Sequence, residues 1–272
     1  MGERAMGPDG LRTALSGAEP LVIAVSGGID SLTLAAAAAA FRPPGRPPGR
    51  PPGRTELCHA VSPAVPAEAL GRVRAMAART GLPLRLVDAG EFDDPAYRAN
   101  PVDRCYFCKS HLYARLARPG AVVAAGTNLD DLADYRPGLR AAAEHGVRHP
   151  FVEAGMDKAA VRALARELGL GALAGLPASP CLSSRVRSGL RIEPEALRRI
   201  DRIEAALRAR LGPVTLRCRQ EEAGLVLEID AAVLERLDAG AREALAALGG
   251  ELAEGAPLPL RPYRRGSAFV HA

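Results

Sequence analysis

Leu21-Val22-Ile23-Ala24-Val25-Ser26-Gly27-Gly28-Ile29-Asp30-Ser31 is the stretch whose reading decides the fold. Residues 21–25 form an unbroken apolar run of the length of a buried parallel strand, and the run stops at a tight-turn signal, Ser26-Gly27-Gly28. A helix follows from about Asp30 through the alanines of residues 35–40. In such a strand-turn-helix the free backbone N–H groups of the first helical turn converge on one point, and the helix dipole makes that point attractive to phosphate. Gly27 and Gly28 permit the turn and let a ligand approach the backbone, Ser26 and Ser31 offer hydroxyl donors, and Asp30 is a candidate magnesium ligand. The loop is not a Walker A motif, which requires a longer loop ending in Gly-Lys-Ser/Thr.

Outward from this stretch the pattern repeats. Strands are expected at 55–61, 83–88 and 121–125, with helices at 66–80, near 103–117, near 137–145 and at 157–168. Alternating strands and helices predict an α/β fold built on a doubly wound parallel sheet, whose ligands sit beyond the carboxyl ends of the strands. Gly126, Thr127 and Asp130 emerge at the end of the last of these strands, as Ser26 does at the end of the first, so all are candidate nucleotide contacts. Asp131 and Asp134 lie in the same polar loop, where acids also serve turn formation. Residues 41–54 carry a threefold Pro-Pro-Gly-Arg repeat that forms neither helix nor central strand and reads as a loop insertion.

After Pro180-Cys181-Leu182-Ser183-Ser184-Arg185 the character changes. A helix at 193–210, strands at 213–219 and 224–229, a helix at 231–247 and a final extended segment predict a smaller α+β domain. The reading therefore divides the chain into residues 1–186, a nucleotide-binding domain, and residues 187–272. Arg217 and Arg219, two apart on a strand, point the same way.

Composition bounds the function without choosing it. Hydrophobic residues at 48% and charged residues at 25% describe a globular protein rather than a disordered one. A net charge of +5 suits an anionic partner, either nucleic acid or a small phosphorylated substrate. The arginines are scattered, without a long basic run or interleaved aromatics, which disfavours nucleic acid. Five cysteines at irregular spacing read as free thiols in a reducing compartment rather than a disulfide framework. The N-terminal residues lack the apolar segment of a signal peptide and no window approaches a membrane span, so a cytoplasmic protein without a membrane partner is expected.

Ser-Gly-Gly-Ile-Asp-Ser after an apolar strand resembles the pyrophosphate loop of the ATP pyrophosphatases, enzymes that adenylate a substrate and release pyrophosphate. Residues 100–109 (NPVDRCYFCK), 126–138 (GTNLDDLADYRPG), 177–185 (PASPCLSSR) and 263–267 (YRRGS) further resemble one branch of that superfamily, the LarE family of ATP-dependent sacrificial sulfur transferases. The resemblance implies an adenine nucleotide alpha hydrolase-like first domain, ATP and magnesium as cofactors, and a homo-oligomer. It also implies the substrate, pyridinium-3,5-biscarboxylic acid mononucleotide, in the biosynthesis of the nickel-pincer nucleotide cofactor. A carboxylate of that molecule would be adenylated and attacked by a cysteine thiolate, whose carbon–sulfur bond would then break to leave a thiocarboxylate.

The cysteine at the matching place is Cys181. Thiolate chemistry asks for cationic neighbours, which Arg185 and Arg187 would supply. Arg217, Arg219 and Arg264 match family arginines suited to the substrate phosphate, Glu204 and Glu228 match acidic positions, and Glu204 is a candidate metal ligand. Cys105 and Cys108 form a Cys-x-x-Cys pair that cannot complete a tetrahedral metal site alone. An alternative mechanism has them hold an iron-sulfur cluster with Cys181 or Cys218, or act as a persulfide-bearing redox pair, in a thiolation enzyme of the same superfamily such as one acting on tRNA; they also read simply as packing thiols.

Overall fold

The computed structural model describes residues 6–16, 18, 20–41, 55–133, 136–175, 180–264 and 266–268. Most of the Pro-Pro-Gly-Arg segment, Asp134, and residues 177–179 of the cysteine motif lie outside the described residues. The chain forms two compact units, one of residues 1–62, 67–91 and 105–176, the other of residues 63–66, 92–104 and 177–272. Cys181 thus falls in the second unit, together with two short segments drawn from the N-terminal half of the chain.

The first unit is built on four strands, β1 (Leu21–Ala24), β2 (Thr55–Ala60), β3 (Leu84–Val87) and β4 (Val122–Ala125), all parallel in the order β3-β2-β1-β4. The chain steps outward from β1 to β2 and β3, then returns to place β4 on the other side of β1. This reversal sets β1 and β4 side by side with their carboxyl ends adjacent, the place where open parallel sheets bind ligands.

Period-two alternation splits the strand residues between two faces. Leu21, Ile23, Val25 and Leu57 face a core made with Leu32, Ala35, Val73, Met76 and Leu164, from the helices Ile29–Ala40, Ala67–Thr80 and Lys158–Glu167. Val22, Cys58 and Val123 face Tyr113, Leu116, Ala141 and Ala142, from the helices Arg104–Leu116 and Pro137–Glu144. Helices on both faces make the sheet compatible with the doubly wound class expected from the sequence. The alanine run of the helix Ile29–Ala40 lets that helix sit close on the sheet, and Ala35 and Ala37 are fully buried. A helix at Gly7–Ser16, which the strand-helix alternation does not foreshadow, adds Leu11 and Leu15 to the first core.

In the second unit β5 (Leu216–Glu221) and β6 (Gly224–Ile229) form an antiparallel hairpin, and β7 (Leu260–Pro262) runs parallel to β6. The helix Pro194–Leu211 packs on β5, and it buries Leu197, Ile200, Ile203 and Leu207 on one side. It starts on a proline in its first turn and stops at Gly212, whose φ of 77° is open to glycine without strain. The single helix expected at 231–247 is two, Ala231–Arg236 and Ala239–Leu252. The cause is Asp238, whose carboxylate accepts the Ala241 amide at 2.7 Å and caps a new helix while Leu237 turns extended. No helix among the described residues is long and apolar enough to cross a membrane.

Candidate functional site

Each unit carries some of the candidate site residues read from the sequence. In the first, the loop after β1 is drawn tight by its own hydroxyls. Ser31 Oγ donates to the Gly28 carbonyl at 3.0 Å and accepts the Ser26 amide at 3.1 Å, and Ser26 Oγ lies 3.2 Å from it. Gly27 has φ +80°, and a Cβ there would stand 2.8 Å from the Ala69 carbonyl oxygen, so the glycine serves both conformation and close packing. At Gly126 a Cβ would stand 2.8 Å from the Ser31 amide nitrogen, which places the end of β4 directly against the first turn of the loop helix. Arg72 Nε holds the Gly27 carbonyl at 2.8 Å.

Asp30 is engaged by a residue the sequence reading passed over. Lys158 Nζ donates to its carboxylate at 2.6 Å, and the Lys158 amide donates to Asp130 Oδ2 at 2.9 Å. Asn128 and Asp131 form a capping box for the turn Leu129–Leu132, and the Leu129 amide reaches the Met156 carbonyl at 3.0 Å. Ser26, Gly27, Gly28, Asp30, Ser31, Gly126 and Asp130 are therefore gathered at one end of the sheet, with the half-buried Thr127 between Gly126 and Asn128.

His59, at the end of β2, holds the start of the loop. Its Nδ1 donates to the Val25 carbonyl at 2.7 Å and its Nε2 is buried with no partner, so the ring is the neutral Nδ1–H tautomer. Burial pushes the His59 pKa below that of an ordinary imidazole, with the Val25 bond opposing, and burial does the same at His149 against the Ala125 bond and nearby acids. The unfolded chain takes up protons near its ordinary imidazole pKa of about 6.5 while these rings stay neutral, so folding stability is full above that pH and falls as pH drops through the window below it. Urea melts between pH 7.5 and 5.5 are expected to show the loss, with a shallower slope in His59→Gln; equal slopes would refute the assignment.

The second unit holds Cys181, half-buried, at the start of the turn Leu182–Arg185. Three anchors fix that turn. The Leu182 amide donates to the Ala64 carbonyl at 2.8 Å, Ser183 Oγ lies 2.6 Å from the Tyr97 hydroxyl, and Arg185 Nη1 donates to the carbonyls of Pro180 and Cys181 at 2.8 and 3.2 Å. These contacts explain why residues 63–66 and 92–104 belong to this unit. Arg185 is itself fully buried and pairs with Glu204 through two 2.9 Å bonds. Its positive charge beside Cys181 is thus largely answered by Glu204, and Arg187 spends its charge on the exposed Glu222.

Glu204 also accepts Arg208 and the Cys218 amide, the latter at 2.9 Å. Burial alone would raise its pKa, but the Arg185 bonds and the surrounding guanidinium charge take it below the ordinary carboxylate value. A metal at Glu204 would have to displace these donors, which form the environment of a structural carboxylate. Cys218 is buried and burial pushes its thiol pKa well up, the profile of an inert packing thiol.

Arg217 and Arg219 both flank the Tyr263 ring, their guanidinium carbons 5.8 and 6.0 Å from its centroid. Arg219 is paired with buried Glu228 at 2.8 Å, and Glu228 also takes Arg261 and Ser267. Arg217 Nη1 donates to the Leu216 carbonyl at 2.7 Å, and burial and the charge of Arg185 push the Arg217 pKa down to about 10. An anion at Arg217 would relieve that penalty. Arg264 is exposed. Cys105 and Cys108, three apart on the helix Arg104–Leu116, are half-buried, and no group of three or more His, Cys, Asp or Glu among the described residues is placed to hold a metal.

No family model matches the chain. An uncharacterized protein of Methanocaldococcus jannaschii is 34% identical over 114 residues, covering 40% of this chain and 44% of its own length. The pyridinium-3,5-bisthiocarboxylic acid mononucleotide synthase of Lactiplantibacillus plantarum is 38% identical over 131 residues, 46% of this chain and 47% of that enzyme. A much fuller match, 40% identical over 220 residues that cover 79% of this chain and 78% of the relative, is with the uncharacterized protein slr1717 of Synechocystis. The chain belongs to the family of that Synechocystis protein, and the partial likeness to the Lactiplantibacillus synthase gives it a LarE-like character.

Proposed function

We propose that the chain is an adenylating sulfur transferase that converts a carboxylate of a pyridinium mononucleotide to a thiocarboxylate, with Cys181 as the sulfur source. The observation that carries the reading is a pyrophosphate-type loop, tightened by Ser26 and Ser31 and packed through Gly27 and Gly126, in a chain partly similar to a bisthiocarboxylic acid mononucleotide synthase. In this reading the loop amides and hydroxyls orient the nucleotide phosphates. A substrate carboxylate oxygen attacks the α-phosphorus, pyrophosphate leaves, and an acyl adenylate results. The Cys181 thiolate then attacks the acyl carbon and AMP departs, which gives a thioester. Removal of the Cys181 Cα proton with cleavage of its Cβ–S bond releases the thiocarboxylate and leaves dehydroalanine in the chain.

The protein's own groups meet several of these demands. Anchoring by Leu182, Ser183 and Arg185 presents Cys181 from a fixed turn, and Arg217, with Arg219 and Tyr263 beside it, is suited to the substrate phosphate. Asp30, in the first turn of the loop helix and partly exposed, fits magnesium, which takes one or two carboxylates and completes its shell with phosphate oxygens and water. Bound there, magnesium would neutralise phosphate charge.

The test is the mass of the intact protein after one turnover with ATP and substrate. A loss of about 34 Da, one hydrogen sulfide, mapped to Cys181 and matched by one pyrophosphate per chain is expected. Cys181→Ser should still release pyrophosphate and lose no mass. Continued turnover at unchanged mass would sink the sacrificial reading and favour a persulfide or cluster mechanism through Cys105 and Cys108.

A further inference from the structure

The loop after β1 is locked at both ends by Ser31, whose Oγ donates to the Gly28 carbonyl at 3.0 Å and accepts the Ser26 amide at 3.1 Å. Between these ends, the peptide that joins Gly27 to Gly28 is held from outside the loop, by Arg72 Nε on the Gly27 carbonyl at 2.8 Å. Arg72 lies in the helix Ala67–Thr80, its side chain is 19% exposed, and its Nη1 pairs with Glu68 Oε1 at 3.3 Å, one turn earlier. The acid precedes the base in that pair, the favourable order, so Glu68 steadies the guanidinium while Nε faces the loop. A trans peptide is planar, with its C=O and N–H pointing in opposite directions. A carbonyl held toward the helix therefore turns the Gly28 N–H away from it, to the side of the exposed Ser26 hydroxyl. That amide stands 3.4 Å from Ser26 Oγ, longer than an ordinary N–H···O bond, so it is weakly engaged and open to a stronger acceptor.

Two adjacent glycines make this orientation reversible. Turning the peptide over would take φ of Gly28 from −86° to a positive value that, with ψ 160°, is open essentially to glycine alone, and the N–H would then face the helix. We infer that Arg72 is a positioning residue, whose bond to the Gly27 carbonyl keeps the Gly28 N–H aimed at a phosphate group of the nucleotide. The inference rests on the reading that the loop binds ATP, and it deepens that reading by naming a residue 45 positions from Gly27 that sets the loop's polarity. In this role the hydrogen bond matters and the positive charge does not. Glutamine carries its amide nitrogen at the same place along the side chain as arginine Nε, and methionine carries a methyl group there.

The measurement is titration calorimetry of the full-length protein with ATP and with inorganic pyrophosphate, magnesium present, with thermal melts to check the folding of each variant. Arg72→Met is expected to weaken both ligands about tenfold, the order of one charge-assisted hydrogen bond, and Arg72→Gln by less than about threefold. In protein carrying nitrogen-labelled glycine, the Gly28 amide resonance is identified by its loss in Gly28→Ala. At saturating pyrophosphate it should move downfield in the parent and in Arg72→Gln but not in Arg72→Met. A strut that merely stiffened the loop would leave that shift in place in all of them. Arg72→Gln falling with Arg72→Met, Arg72→Met binding as the parent does, or equal shifts throughout would overturn the role of Arg72 and leave the nucleotide reading standing. Loss of the fold in Arg72→Met would make the bond a strut and overturn the role as well. If the parent protein binds neither ligand, both the role and the nucleotide reading fail.

Discussion

Glu204→Ala should cost about 3–5 kcal/mol of unfolding free energy, the range for leaving a buried charge without its partner. The size follows from position rather than from the strength of the pair. Arg185 and Glu204 are both fully buried, and the carboxylate satisfies two guanidinium N–H groups, Arg208 and the Cys218 amide at once. Without it Arg185 keeps its charge, loses both bonds and still holds the Pro180 and Cys181 carbonyls, so the strain should pass into the turn that carries Cys181. The double variant Arg185→Met with Glu204→Leu should recover much of the loss, because two apolar side chains owe no desolvation. The sulfur transfer proposed for Cys181 should stay impaired, since the turn has then lost an anchor. Urea denaturation decides the matter, and a single-variant loss under about 1 kcal/mol would show that water reaches the pair. The pH dependence has a fixed sign: Glu204's folded pKa lies below the ordinary value, so its contribution is complete above about pH 4.5 and is lost as pH falls through the folded value.

The strands of the first unit were legible because a buried parallel strand is an apolar run with turn signals at its ends, and each of the four lies within a residue of its expected limits. The turn chemistry of Ser26-Gly27-Gly28 was legible for the same local reason. The contacts that complete each site were not. Lys158 reaches Asp30 across 128 residues and Tyr97 reaches Ser183 across 86, and nothing in either local pattern announces the partner. Arg185 was readable as a charge beside Cys181, but its neutralisation by Glu204 is a product of burial, which pairs charges irrespective of their spacing. The break at Leu237-Asp238 escaped because the apolar periodicity runs on through it, while one aspartate is better satisfied capping a new helix than inside an old one. β5 begins three residues later than expected, at Leu216, since Gly212 and Pro213 keep the chain out of the ladder.

The two loop glycines, adjacent and alike in sequence, should respond oppositely to a single methyl group. At Gly27 alanine must adopt φ near +80°, which costs about 1–2 kcal/mol, and its Cβ would sit 2.8–2.9 Å from the backbone of Ala69. Neither the helix Ala67–Thr80 nor β1 can yield cheaply, because Val73 and Met76 tie that helix into the core. Gly27→Ala is therefore expected to lose about 2–4 kcal/mol of stability, a magnitude typical of a strained backbone with overpacking, and to weaken ATP at least tenfold. Gly28 has φ −86° and ψ 160°, ordinary for any residue, and the nearest atom to its Cβ is Ser26 Oγ at 3.5 Å. Gly28→Ala should fold with the parent's stability to within about 0.5 kcal/mol, as substitutions away from strained or packed positions do. Whatever it loses in ATP affinity then measures how closely a phosphate approaches the loop, since among the described residues nothing comes nearer than Ser26 Oγ. A Gly28→Ala variant that both folds and binds ATP like the parent would place the phosphates elsewhere and remove the main physical argument for adenylation at this loop.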